Sequence, residues 1–167
     1  MIRTASAAAC LLLALALAGC GSSEAQAEFE LDAAQAASGI ARTDAQGNLL
    51  SDDPNDWRTA PLYATSFFQV TRRPFPNPVS FSSGAVVIME VTTGDAIPGG
   101  LRLVPFENGR RSRFTSEQTC FVGGPDICVF DFFPSEIEGA QPGDLWRLIL
   151  FDGQGNVVTY GDLQIEA

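Results

Sequence analysis

The feature that most limits how this chain can fold is its punctuation. From Leu62 to the C-terminus, short apolar and aromatic runs alternate with turn-forming residues about every 8–15 positions. The runs are Leu62–Val70, Ala85–Thr92, Leu101–Phe106, Arg113–Val122, Ile127–Phe133, Leu145–Phe151, Asn156–Tyr160 and Leu163–Ile165. No convincing amphipathic helix lies between them, which excludes βαβ units and a parallel sheet. The expectation is an all-β, antiparallel β-sandwich of seven to eight strands over residues 61–167. Pro74, Pro76, Pro78 and Pro105 lack the N–H of a ladder and belong at edges, bends or strand ends.

Composition removes several kinds of chemistry. The chain carries 20 acidic and 10 basic residues, a net charge of −10, and all its basic residues are Arg. With no His there is no Ser-His-Asp or Cys-His catalysis and no imidazole zinc site. With no Lys there is no Schiff base and no phosphate-loop lysine. The acidic balance opposes nucleic-acid binding.

The N-terminus reads as an address. Arg3 is the only charge before Glu24, and Ala5–Ala18 is almost wholly apolar, too short to span a bilayer but suited to a secretory signal. The run closes on Leu17-Ala18-Gly19-Cys20, which resembles the lipobox of bacterial lipoproteins. The resemblance implies removal of residues 1–19 and lipidation of Cys20, so that two or three acyl chains hold a soluble body on a membrane. Gly21, in place of an Asp, points by the same resemblance to the outer rather than the inner membrane of the cell envelope. Residues 20–60 are then the lipidated N-terminus, a flexible tether and a polar loop. The Ala-, Glu- and Gln-rich stretch 21–38 favours helix but offers only Phe29 and Leu31 for packing, so it reads as a tether, either with a short helix or as coil, in which case it would reach roughly 25 Å.

Cys10 leaves with the signal, and Cys20 is committed to lipid. Cys120 and Cys128 remain as an even pair in an exported protein, symmetric about Gly124 within the turn signal Gly123-Gly124-Pro125-Asp126. A hairpin would set them opposite each other, and a disulfide closing so short a loop is worth roughly 2–3 kcal/mol.

A further feature concerns the sandwich. Pro142-Gly143-Asp144-Leu145-Trp146-Arg147-Leu148 resembles the opening of a late strand in immunoglobulin-like modules, in which an aromatic at the corner packs beneath the sheets. Trp146 would take that place. The Cys-Trp-Cys core pattern of that family is absent.

Candidate binding residues are few. Asp52, Asp53 and Asp56 form an acidic knot whose oxygens could hold Ca²⁺, although the spacing is not that of an EF-hand loop; capped turns are the alternative. Asp152-Gly153-Gln154-Gly155-Asn156 reads as a hairpin turn. Arg110, Arg111 and Arg113 cluster against the overall charge and suit lipid phosphates or an acidic partner, with local pairing to Asp and Glu on an acidic surface as the alternative. Arg72 and Arg73 form a second pair. Phe67-Phe68 and Phe132-Phe133 are adjacent strand residues, so one of each pair should face away from the core, and with Trp57 or Tyr63 it would make a contact surface. Glu136 and Glu138, about 7 Å apart if they lie in a strand, are a pair that glycoside hydrolysis could use.

The expected function is a lipid-anchored, non-enzymatic envelope module that binds or scaffolds another envelope protein or glycan and needs no cofactor. A surface module that binds glycan or calcium is the alternative, and a small carboxylate hydrolase comes last.

Overall fold

The computed structural model describes residues 20–65 and 68–167, with only the backbone path given for residues 20–23. The signal segment 1–19 and Phe67 lie outside the described residues. Helix α1 spans Cys20–Ala33. Eleven strands follow among the described residues: β1 (Arg42–Thr43), β2 (Leu49–Ser51), β3 (Phe68–Phe75), β4 (Val79–Ser80), β5 (Val87–Thr93), β6 (Ile97–Glu107), β7 (Arg110–Arg111), β8 (Thr119–Val122), β9 (Asp126–Phe132), β10 (Leu145–Asp152) and β11 (Val157–Glu166).

The chain is an all-β sandwich. One sheet has the order β3-β5-β9, and the other runs β4-β11-β10-β6 with β7 and β8 sharing the outer edge of β6. Pairing is antiparallel except for β4, which lies parallel to the last strand at Val79↔Ile165. Alternation fills the space between the sheets. Val87, Met89 and Val91 of β5 and Cys128, Phe130 and Phe132 of β9 belong to one buried cluster with Leu101 and Leu103 of β6 and Leu148 and Leu150 of β10. Trp146 is fully buried in that cluster.

Several strand limits differ from the sequence reading. Pro61 opens a 3-10 turn over Pro61–Tyr63, so β3 begins later, at Phe68, and continues through Pro74. Asn156–Tyr160 and Leu163–Ile165 belong to one long strand, β11, because Gly161 and Asp162 stay paired with Leu148 and Arg147. The Cys120–Cys128 disulfide is present, with Cα atoms 5.9 Å apart. It does not close a simple hairpin: β8 pairs with β6 and β9 with β5, so the bond joins the two sheets.

The stretch read as a tether is instead docked structure. Gln26, Phe29 and Ala33 recur at helical spacing and form the buried face of α1, while Leu31 points to solvent. That face covers the outer side of the larger sheet, where Phe29 and Ala33 pack with Ile149, Val157 and Tyr160. Polar bonds hold the C-terminal end of the helix. Arg147, paired across the strands with Asp162, donates Nη1 to the carbonyls of Asp32 and Gln35 at 2.9 and 3.3 Å. Its Nε and Nη2 meet both carboxylate oxygens of Asp162 at 2.7 and 3.0 Å.

The polar loop 41–60 is also part of the fold, because it covers the edge of β11. Trp57 N donates to Tyr160 O at 2.7 Å and Ala60 N to Val158 O at 2.9 Å. Further along, the Asn77 side chain donates to Asp162 O and accepts from Gln164 N, occupying the edge before β4 takes over. Trp57, at φ 61°, swings its indole flat onto Gly161, where an added Cβ would overlap the ring. Gly161→Ala should therefore destabilise the domain by about 2 kcal/mol or more, read as a lowered urea midpoint at unchanged slope.

Candidate functional site

The arginine cluster of the sequence lies along an interrupted sheet edge. Asn108 and Gly109 both adopt positive φ and make the tight turn that folds β7 back on β6, pairing Arg110 with Glu107 and Arg111 with Phe106. The ladder resumes only at β8. Between these two partners stands Pro105, whose nitrogen has no hydrogen to offer, although its carbonyl still accepts from Ser112 N at 2.9 Å. The chain leaves the edge there. Phe114 turns into the core and stacks on Phe132 with ring centres 4.7 Å apart, while Thr115 N and Arg113 O bond the backbone of Glu136 and Glu138.

The result is a groove of about 260 Å³, with β6 residues Arg102–Pro105 on one side and residues 111–118 on the other. Arg102, Arg111 and Arg113 all line it. Arg113 makes a two-pronged pair with Glu138, at 2.6 and 3.2 Å, which holds the Glu138 carboxyl below its usual range. Arg102, Arg110 and Arg111 form no ion pair among the described residues. Glu117 is the acidic residue within the lining. The groove is smaller than most pockets for drug-sized ligands. Its guanidinium planes suit a carboxylate or phosphate presented from another surface.

Of the sequence candidates, Arg111 and Arg113 meet in this groove, while Arg110 sits on its outer flank. Arg102 was missed: it is nine residues from Arg111, and it enters the groove only because β6 carries it opposite Thr119, at the far end of the same lining. Arg72 and Arg73 are neutralised, the first by Glu90 at 3.0 Å with its guanidinium over the Phe75 ring, the second by Asp52.

The acidic knot is dispersed. Asp52 turns to Arg73, Asp53 accepts from Asn55 N, and Asp56 turns inward to accept from Ala41 N at 2.8 Å. Among the described residues no group of three His, Cys, Asp or Glu side chains converges to hold a metal ion. Trp57, expected at a contact surface, is buried because its positive φ sends it under the loop and onto Gly161. Phe68 and Phe132 are buried and Phe133 is half-exposed, as alternation requires for the second pair. Glu136 and Glu138 do not lie in a strand: Glu136 caps the 3-10 turn at Phe133 N and Glu138 holds Arg113. The turn at 152–156 closes as a hairpin, with the Asp152 carboxylate accepting from Gln154 N and Asn156 N. Burial opposes ionisation of Asp152, but hydrogen bonds from Tyr63 and Asn156 outweigh it and keep its pKa low.

With this geometry in view, the chain was compared with known proteins: no model of a protein family matches it, and no curated protein is significantly similar.

One titratable group behaves unusually. The Asp56 carboxyl is pushed up to about 7, first by burial and then by the nearby carboxylates of Asp162 and Asp53, against the help of Ala41 N–H and Arg147. The folded state therefore holds a proton that the unfolded chain releases near pH 4, and stability falls as pH rises from about 4 through 7. The groups with lowered values, Asp44, Asp52, Glu138 and Asp152, act only at the acid side of that window. Asp56→Asn keeps an acceptor for Ala41 and loses the titration. Its stability advantage over the wild type should grow by about 2–3 kcal/mol between pH 5 and pH 8 in urea unfolding.

Proposed function

We propose that this chain is a lipoprotein of the bacterial cell envelope whose sandwich is a non-enzymatic binding module, taking an acidic envelope component at the arginine groove. The observation that carries the reading is Leu17-Ala18-Gly19-Cys20 at the end of a signal-like apolar run. Gly21 favours the outer membrane as the destination.

The groove supports the second half of the reading. On a body with net charge −10, Arg102 and Arg111 are guanidinium groups with no ion-pair partner among the described residues, and they line the 260 Å³ groove beside Arg113. Unpaired Arg of this kind recognises carboxylate or phosphate by two parallel hydrogen bonds. A glycan bearing acidic groups and an acidic protein segment share that chemistry.

Mass spectrometry of the protein purified from its native membrane should find the mature chain starting at Cys20 with acyl chains attached. Cys20→Ser should move the protein to the soluble fraction. An unmodified amino terminus, or a start elsewhere, overturns the anchor. For the groove, cross-linking in intact envelopes from a photoreactive group at Thr115 should capture one component, and Arg102→Ala with Arg111→Ala should reduce that capture about tenfold or more. Equal capture by the double variant overturns the groove as the binding surface.

A further inference from the structure

The strand registers bring several turns and one helix end to the same end of the sandwich. β6 begins at Ile97 opposite Val122, and Leu101 lies opposite Asp152. β5 ends at Thr93 opposite Asp126. The turns at 94–96, 123–125 and 153–156 therefore sit together. α1 points its N-terminus to that end: Gln26 Nε2 donates to Val157 O at 3.0 Å, and Gln26 Oε1 accepts from Leu62 N at 3.1 Å. The other end of the helix lies at the level of Arg147 and Asp162. At 1.5 Å per residue, the backbone of Cys20 stands about 9 Å beyond Gln26.

Three large apolar side chains are exposed at this end. Phe121 is 78% exposed beside Gly153–Gly155, Ile127 is 59% exposed at the start of β9, and Leu62 is 47% exposed next to Gln26. We propose that this end of the sandwich rests on the bilayer, with Phe121, Ile127 and Leu62 entering the headgroup layer. The inference rests on Cys20 being the lipidated residue. A coil of some twenty residues would let the domain stand roughly 25 Å away and tumble. A helix docked through Phe29, Ala33 and Arg147 instead releases the acyl chains beside these side chains, so their insertion is an intramolecular event at high effective concentration. Aromatic and aliphatic groups are favoured at that depth. The charges at this end are mostly acidic, with Asp95, Asp126, Glu24 at the helix start and Glu117 set against Arg102 beside Phe121, so the surface suits a zwitterionic leaflet. β6 runs away from this end: Arg102 lies beside Phe121, while Arg111, paired with Phe106, stands four residues farther along the strand.

The test uses the mature lipidated protein in phosphatidylcholine vesicles, with or without bromine on the acyl chains. Phe121→Trp adds an indole at the proposed contact, and Ser82→Trp adds one at the opposite end, beyond β4. The buried Trp57 and Trp146 give a background measured in the wild type. The added emission of Phe121→Trp should fall about twofold or more in brominated vesicles, and that of Ser82→Trp should not change. Unchanged emission from Phe121→Trp, in protein that floats with the vesicles and carries lipid on Cys20, overturns the membrane-facing end and leaves the anchor standing. Absence of lipid on Cys20 overturns both.

Discussion

The Arg147–Asp162 pair is the contact on which the arrangement of this domain depends. It lies across β10 and β11 on the outer face of the larger sheet, with side chains only 7% and 1% exposed. Charges so deep are tolerated when each remaining hydrogen-bonding position is filled. Here the fillers come from elsewhere in the chain. Arg147 meets carbonyls at the end of α1, where a cation also complements the helix dipole, and stacks over the Tyr160 ring at 4.9 Å. Asp162 accepts from Ser38 N at 2.8 Å. One ion pair thus fastens two strands, the helix and the segment that leaves it.

Residues 24–60 are consequently a working part of the sandwich. A sandwich leaves strand edges that invite pairing with other chains. At β11 that edge is closed piece by piece, by the backbone of Trp57–Ala60, by the amide of Asn77 and by β4. The larger sheet's outer face is closed by α1. The edge of β6 is treated differently: Pro105 breaks its ladder, the chain peels away to bury Phe114, and an arginine-lined groove remains. Covering at one edge and interruption at another separate the part of the surface that stabilises from the part that can recognise.

Much of this was legible in the residues. Period-two runs and turn signals predict the layers, and Val87, Met89 and Val91 or Cys128, Phe130 and Phe132 declare their faces without help. Arg110, Arg111 and Arg113 announce a positive site because they are neighbours in sequence. The misread residues share a different property. Trp57 and Asp56 sit in a stretch of turn formers, where hydrophilic neighbours suggest exposure, and their burial depends on β11, more than a hundred residues away. Arg102 joins the groove through register alone. Phe29 and Ala33 make too weak an apolar stripe to predict docking, since their partners Ile149 and Tyr160 lie on a sheet face that local pattern assigns to solvent or core equally well.

The sequence by itself determined the signal-like N-terminus, the all-β class, the pairing of Cys120 with Cys128 and the local concentration of arginine, because each follows from residue type and near spacing. Only the tertiary structure decided that the disulfide joins two sheets, that the supposed tether is a docked helix, that the acidic knot is divided among Arg73, Asn55 and Ala41, and that Arg102 lines the same groove as Arg111. These outcomes are set by which distant groups must be satisfied once water is excluded, and that accounting exists only when the layers have come together.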